Sequence, residues 1–424
     1  MAADILLLTG YARMHLSRYD EAVADLDEAE SLFTRHRPDA RYERWRTHLH
    51  RAAIARVRAQ PEVTLRHARA SEALSRTGPG FGISERVDSL YSLGIALYYN
   101  QDEDAAVAHF RQALDELAGT ELEGSAQHLE LLNAVATSRT RNDTEGAEVQ
   151  RQAEQRLQLA ERLYAGDQGR IAHTWAQVSK DLMLVPGQAG RALDLARRAQ
   201  DAASRVFTGP HYNKTNPACN LGEHLAFAGQ WQTALPYYDA GIDNARSVDQ
   251  RDYGQWACLR GRGYAKAALG RLEPALQDMR EARAVMAGLG DTGSWQELDD
   301  CGLLASVLLR LRRIDEAGTV LRECVGSSQS DARHWRMARA EWLHRTGAGD
   351  EATRITDALR REYAPSPLRR NWMRPWMLSA LLAHEAGDGG AIGQWSKELG
   401  EHAALEPLAS CLSRPSEANC LTFP

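Results

Sequence analysis

One spacing pattern recurs along almost the whole chain and limits what it can fold into. In its clearest copy, the small residue Gly94 is followed after 12 positions by Ala106. The bulky Phe110 and a third small residue, Ala113, complete the pattern. A fixed order of small and bulky residues that repeats at a steady interval is typical of a repeat architecture.

The other copies cover the chain from end to end. Clear copies begin at Gly10, Ala134, Gly222, Gly263 and Ala305, and weaker ones centre on Thr64, Ala192, Ala352 and Ile392. Successive copies lie 35 to 46 residues apart, with most steps close to 41. The chain of 424 residues is therefore predicted to contain about ten similar units in place of two or three unrelated domains.

Each unit reads as a pair of helices. Apolar residues recur at helical spacing in two stretches, as at Leu90, Leu93 and Leu97 and then at Phe110 and Leu114. Short polar or glycine-containing turns separate the stretches, and no sustained two-residue alternation predicts strands. We expect an all-α protein, a right-handed α-solenoid of about ten antiparallel helix pairs over residues 1–400, followed by a C-terminal capping helix and loosely ordered tail over 401–424.

The pattern resembles the tetratricopeptide repeat, with its L-G-x-x-Y and A-x-x-x-F-x-x-A segments. The longer step, the Phe207-Thr208-Gly209-Pro210-His211 loop and the segment Asn220-Leu221-Gly222-Glu223-His224-Leu225 are similar to the kinesin-light-chain-like subclass, which is common in bacterial signalling proteins. The resemblance implies a concave peptide-binding face and places Asn220 on it. It excludes the carboxylate-clamp specialisation, because Glu223 and Glu341 stand where such clamps carry asparagine.

Composition narrows the class of partner. The net charge of −6 and the four lysines argue against nucleic-acid binding. No apolar run is long enough for a membrane span or signal peptide, so we expect a cytoplasmic protein. The six cysteines contain no C-x-x-C pair and are predicted to be reduced thiols.

No spacing of catalytic or metal-binding residues emerges from the sequence. The Gly78-x-Gly80-x-Gly82 run lacks the context of a phosphate loop, and His384-Glu385 lacks the second histidine of a zincin. We therefore predict no enzyme activity, no cofactor and no metal. The Arg- and Trp-rich stretch at 368–376 is interpreted as the start of the last unit, with Trp376 in the core and the arginines outside.

The repeat frame predicts which side chains line the concave face, which is formed by the first helix of each unit. Tyrosine, arginine and asparagine are suited to anchoring a peptide there. The candidates are Asp88, Tyr91, Tyr98, Tyr99, His128, Asn216, Asn220, Glu223, Arg260, Tyr264 and Arg310, with Asp299, His334 and Arg374 in later units.

These observations favour a non-enzymatic scaffold that binds a protein or peptide segment in its groove. The alternatives are the sensor arm of a bacterial regulator whose kinase or DNA-binding domain is absent from this chain, and an enzyme with a dispersed site. Because the first helix begins almost at Met1 without a polar cap, we also expect a longer parent protein or a dimer formed through uncapped terminal repeats.

Overall fold

A computed structural model gives the fold of most of the chain. The residues that it describes are 1–58, 60–77, 80–100, 102–139, 146–183, 185, 187–289, 295–324, 332–362, 374–388, 390 and 395. The predicted second helix of the tenth unit, around Ile392, and the predicted cap and tail at 401–424 lie outside these residues.

Within the described residues the chain forms nineteen α-helices and one short 3₁₀ helix, and it forms no strand. The helices are α1 (Ala2–His15), α2 (Tyr19–His36), α3 (Arg41–Val57), α4 (Pro61–Thr77), α5 (Ile83–Tyr99), α6 (Glu103–Leu117), α7 (Ala126–Arg139), α8 (Gly146–Leu163), α9 (Gln168–Met183), α10 (Ala189–Val206), α11 (Thr215–Phe227), α12 (Trp231–Ser247), α13 (Tyr253–Ala268), α14 (Leu272–Gly288), α15 (Trp295–Arg310), α16 (Ile314–Glu323), α17 (Arg333–Arg345), α18 (Gly349–Glu362) and α19 (Arg374–Glu385). Odd-numbered helices are the first helices of nine complete pairs, and α19 begins the tenth unit. The predicted all-α solenoid is confirmed.

The small residues of the frame lie where two helices approach most closely. A Cβ added to Gly94 would lie 2.5 Å from the ring of Phe110 on the partner helix, and Gly10, Gly222 and Gly263 are crowded in the same way. Ala106 is completely buried in this contact. The bulky side chain of each unit thus fills the space that its small partner leaves open, which explains the fixed spacing in the sequence.

The packing of the helices sets the direction of curvature. First helices of successive units contact one another along most of the array, whereas second helices in the described chain do not pack on each other to the same extent. Units that are closer together on one side must curve toward that side, so the first helices line the inner face. The backbones of α13 and α15 are an exception, since they stay apart.

The array also touches itself across a turn of the superhelix. The ends of α3 and α5 lie against the connection between α12 and α13, where the backbone N–H of Arg251 donates to the carbonyl oxygen of Val57 at 3.3 Å. Arg58 lies 3.7 Å from Asp249, and the ring centroids of Tyr99 and Tyr253 are 5.1 Å apart. We call these six residues the cross-turn contact. The array is therefore held together by contacts between distant units as well as by contacts between neighbouring units.

The prediction of free thiols is wrong for the described cysteines, all four of which are paired. Disulfides join Cys219 of α11 to Cys258 of α13, and Cys301 of α15 to Cys324 at the end of α16. All four side chains are buried in the interfaces between packed helices. The frame brings together small residues that are distant in sequence, and a search for C-x-x-C motifs does not detect such pairs. Cys411 and Cys420 lie outside the described residues.

Candidate functional site

The predicted residues of the third and fourth units are half-buried, and several of them contact other residues of the chain. Asp88 accepts a hydrogen bond from Gln127 at 2.7 Å, and burial raises the pKa of its carboxyl. Tyr91 packs 6.0 Å from the ring of Phe110, and burial raises the pKa of its phenol. His128 accepts from the backbone N–H of Gly124 at 2.9 Å.

Two neighbouring tyrosines belong to the cross-turn contact or border it. The ring of Tyr98 lies 5.9 Å from that of Tyr99, which in turn faces Tyr253 and the guanidinium of Arg56. Tyr99 thus packs within the chain, where it joins α5 to α3 and to α13.

On α11 the candidates differ in accessibility. Asn216 is exposed, whereas Asn220 is buried and donates to the backbone carbonyl of Ala176 on α9 at 3.3 Å. Glu223 is half-buried, 3.8 Å from Lys180. Asn220, the residue that the resemblance favours as a peptide contact, is therefore committed to joining two successive first helices.

Long side chains bridge the gap between α13 and α15. The guanidinium of Arg260 lies over the rings of Trp256 and Tyr264, with its carbon 5.1 and 5.7 Å from their centroids. It faces Asp300 at 3.3 Å and Asp299 at 3.9 Å. Burial alone would lower the pKa of Arg260, but Tyr264 and these carboxylates outweigh it and raise that pKa. We call this set, together with His334, the Arg260 network.

The Arg260 network continues onto α17. Asp299 accepts from the backbone N–H of His334 at 2.8 Å and from its Nδ1 at 2.7 Å. Burial lowers the pKa of His334 to about 4, against the effect of Asp299. Burial would raise the pKa of Asp299, but His334 and Arg260 keep it below the usual value. At neutral pH the pair is a carboxylate and a neutral imidazole, whose buried Nε2 has no hydrogen-bond partner in the part of the chain that the structure describes.

Next to this network is a second group of charged residues, which we call the Arg310 corner. It consists of Arg310 at the end of α15, Glu341 and Arg345 on α17, and Glu385 on α19. Arg345 donates to Glu341 at 2.7 Å and to the carbonyl oxygen of Leu309 at 3.4 Å, and it lies 3.3 Å from Glu385. The inner face of units 7 to 10 is thus linked by ion pairs and hydrogen bonds between successive first helices.

The sequence frame missed part of this face. It identified Arg260, Tyr264 and Arg310, and it placed Asp299, His334 and Arg374 there, but not Trp256, Asp300 or Arg345. Counting positions from the small residue of each first helix finds Arg345, five places after Ala340 as Arg310 is after Ala305. Trp256 and Asp300 lie off that frame and become visible through their hydrogen bond of 2.6 Å.

The first turn of the last described helix fits the prediction only in part. Trp376 is buried as expected, but Arg374, which we expected outside, is also buried, with its guanidinium 3.8 Å from the sulfur of Met377. Arg369 and Arg370 lie outside the described residues.

The described part of the chain contains neither a metal-binding cluster nor a membrane-spanning helix. No three or more His, Cys, Asp or Glu side chains are grouped so that they could hold a metal ion. No helix there combines the length and the apolar character that crossing a bilayer requires.

Solved structures show where this fold occurs elsewhere. NprR in complex with its cognate peptide NprX is 11% identical over 85% of this chain and 97% of that one, with a TM-score of 0.52. Aspartyl phosphate phosphatase F from Bacillus subtilis is 14% identical over 83% and 92%, with a TM-score of 0.49. A Rap protein complexed with competence and sporulation factor is 14% identical over 98% and 97%, with a TM-score of 0.46.

At these identities the similarity to NprR shows a shared fold. No protein-family model matches the chain, and no curated protein matches it in sequence. With its paired helices and the small-to-bulky contact repeated within several of these pairs, the chain has a tetratricopeptide-like repeat fold, which confirms the fold predicted from sequence.

Proposed function

We propose that this protein is a non-enzymatic scaffold that binds a peptide or an extended protein segment along the inner face of units 6 to 10. One observation carries the proposal: buried polar atoms without hydrogen-bond partners are present on the first helices there. Among the described residues they include Nη2 of Arg310, whose side chain is half-buried and therefore reachable from the inner face, and, deeper in the same helices, Nε2 of His334 and Oε2 of Glu341. Native proteins rarely leave such atoms unsatisfied, and a bound peptide supplies both donors and acceptors.

The shape of the array supports the same function. First helices of successive units lie side by side, and the Arg260 network bridges the wider gap between α13 and α15, which suits a ligand that extends over several units. NprR, which has the same fold, was crystallised with a peptide. A sensor arm of a larger regulator would use the same inner face, so the experiment below tests binding in either setting.

The choice of variant follows from the contacts. Replacing Asn220 or Tyr264 would also disturb packing, because both side chains are buried. Glu223 is half-buried and 3.8 Å from Lys180, so its charge can be reversed with less effect on the fold. Glu281 on α14 is a matched control, since it is a second-helix glutamate that pairs with Arg246.

The experiment selects peptides from a random phage-displayed library on the wild-type protein and measures their affinity by fluorescence anisotropy. We expect Glu223→Arg to weaken binding of the selected peptides at least several-fold, while Glu281→Arg leaves it unchanged. Circular dichroism checks that both variants fold. Recovery of no binding peptide, or equal affinities for the two variants, would contradict the proposal.

A further inference from the structure

Arg310 differs from the other charged residues that surround it. Arg345, Glu341 and Glu385 are joined by direct ion pairs. Arg310 makes no hydrogen bond and no ion pair in the described chain, although its Nη2 is completely buried. A guanidinium that loses water without gaining a partner destabilises the protein, so its retention needs another reason.

The surroundings of Arg310 disfavour its positive charge, which a bound anion would stabilise. Burial lowers the pKa of this guanidinium, and the positive charges of Arg345 and Arg312 act in the same direction. Glu341 and Glu385 act in the opposite direction, but neither is within ion-pair distance of Arg310. Both carboxylates are engaged by Arg345 instead.

Building on the proposed function, we infer that Arg310 binds a carboxylate of the peptide ligand. The planar guanidinium donates in a fork that matches the two oxygens of a carboxylate. The two glutamates beside it disfavour a doubly charged group such as a phosphate, since like charges repel at short range. The ligand is therefore an acidic peptide, and Arg310 determines this specificity.

The carboxylate can belong to an Asp or Glu side chain or to the C-terminus of the peptide. The experiment uses peptides selected on the wild-type protein, each synthesised in three forms. One form is unchanged, one has its acidic side chains replaced by the corresponding amides, and one has an amidated C-terminus. Loss of affinity in the second or the third form identifies the source of the carboxylate.

Two arginine variants are compared with these peptides. We expect Arg310→Gln to weaken binding of the unchanged peptide at least tenfold and to show little discrimination between the three forms. Arg312→Gln removes the same charge from an exposed residue two positions away, and it should retain both affinity and discrimination.

Thermal stability separates this role from a structural one. Because Arg310 has no partner to lose, Arg310→Gln should leave the melting temperature unchanged or raise it, whereas Arg345→Gln should lower it. If Arg310→Gln lowers the melting temperature as much as Arg345→Gln does, Arg310 is structural and the inference is wrong. Peptides that bind without preferring carboxylates would contradict the inference alone, and failure to recover any peptide would also remove the proposed function.

Discussion

At the scale of single residues, the small-to-bulky pairing explains the order of residues in the repeat. Leu93 is buried beside Gly94, in the helix that packs on Phe110. Removing its side chain would leave a cavity between helices that are held from both sides, and the backbone could close it only in part.

We therefore expect Leu93→Ala to lower the free energy of unfolding by about 2–5 kcal/mol. Urea denaturation followed by circular dichroism measures this difference. A change within about 0.5 kcal/mol, as surface substitutions give, would show that the helical frame is misplaced by a residue or more.

Buried histidines make the protein sensitive to acid. Burial is the main factor that lowers the pKa values of His50, His67 and His334 to about 4, compared with about 6.5 in an unfolded chain. Between these two values the unfolded state binds more protons than the folded state. Stability is therefore fully present above about pH 6.5 and is lost as the pH falls toward 4.

The variant His50→Phe tests this explanation. Phenylalanine keeps a ring beside Tyr11, whose centroid lies 4.9 Å from that of His50, and it removes the titrating group. We expect the melting temperature of the variant to fall less between pH 7 and pH 5 than that of the wild type. Parallel melting curves across this range would rule out His50 as a contributor.

At the scale of helices, the disulfides act between elements that the repeat frame brings together. Cys219–Cys258 joins the first helices of units 6 and 7, and Cys301–Cys324 joins the two helices of unit 8. Each cross-link restricts the unfolded chain, which typically stabilises a fold by about 2–4 kcal/mol.

Thiol titration of the unfolded but unreduced protein should find at most two thiols, because the four described cysteines of the six in the chain are bonded. Reduction should lower the melting temperature, and Cys324→Ala should remove part of that change. Six thiols in protein purified without reductant would show that the cysteines are packed but not bonded.

The junction of units 8 and 9 depends on one close approach. A Cβ at Gly302 of α15 would overlap the backbone of His334 and Trp335, so these two first helices meet without a side chain between them. This approach lets Asp299 accept from the backbone N–H of His334 in the first turn of α17, as a capping residue does. These two units are also the ones separated by the short step of 35 residues in the sequence.

At the scale of the whole molecule, the cross-turn contact limits how far the superhelix can open. Its backbone hydrogen bond, ion pair and tyrosine contact join residues that are 154 to 194 positions apart. These interactions add to the neighbour contacts from which a simple repeat array takes its stability.

Replacing both Arg58 and Tyr99 by alanine should increase the radius of gyration measured by small-angle X-ray scattering, with no loss of helical signal. The matched control is the double variant of Tyr42 and Arg76, whose side chains are exposed and lie outside this contact. An unchanged radius of gyration in the Arg58 and Tyr99 variant would show that neighbour packing alone sets the curvature.

The first helix, α1, has exposed apolar side chains at the end of the array. Ile5 and Leu8 are 55% and 56% exposed on α1. The dimer through terminal repeats stays a prediction, and Ile5→Lys with Leu8→Lys should reduce self-association in sedimentation experiments if this face mediates it.

The sequence by itself determined the helical class, the pairing of helices and the residues that pack within the clearest pairs. It could do so because these features depend on side chains at fixed short spacings, such as Gly94 and Phe110. The count of ten units and the placing of Arg260, Tyr264 and Arg310 on a ligand-binding face stay predictions.

Only the tertiary structure decided how those residues are used. Asn220 and Tyr99 make contacts within the chain, four cysteines form two pairs, and Arg310 has no hydrogen-bond or ion-pair partner among the described residues. None of this follows from a local pattern. The reason is physical: whether a side chain is free or satisfied depends on groups that curvature brings close from distant units. A repeat period gives the step between units, but small rotations at each junction accumulate and set these long-range contacts.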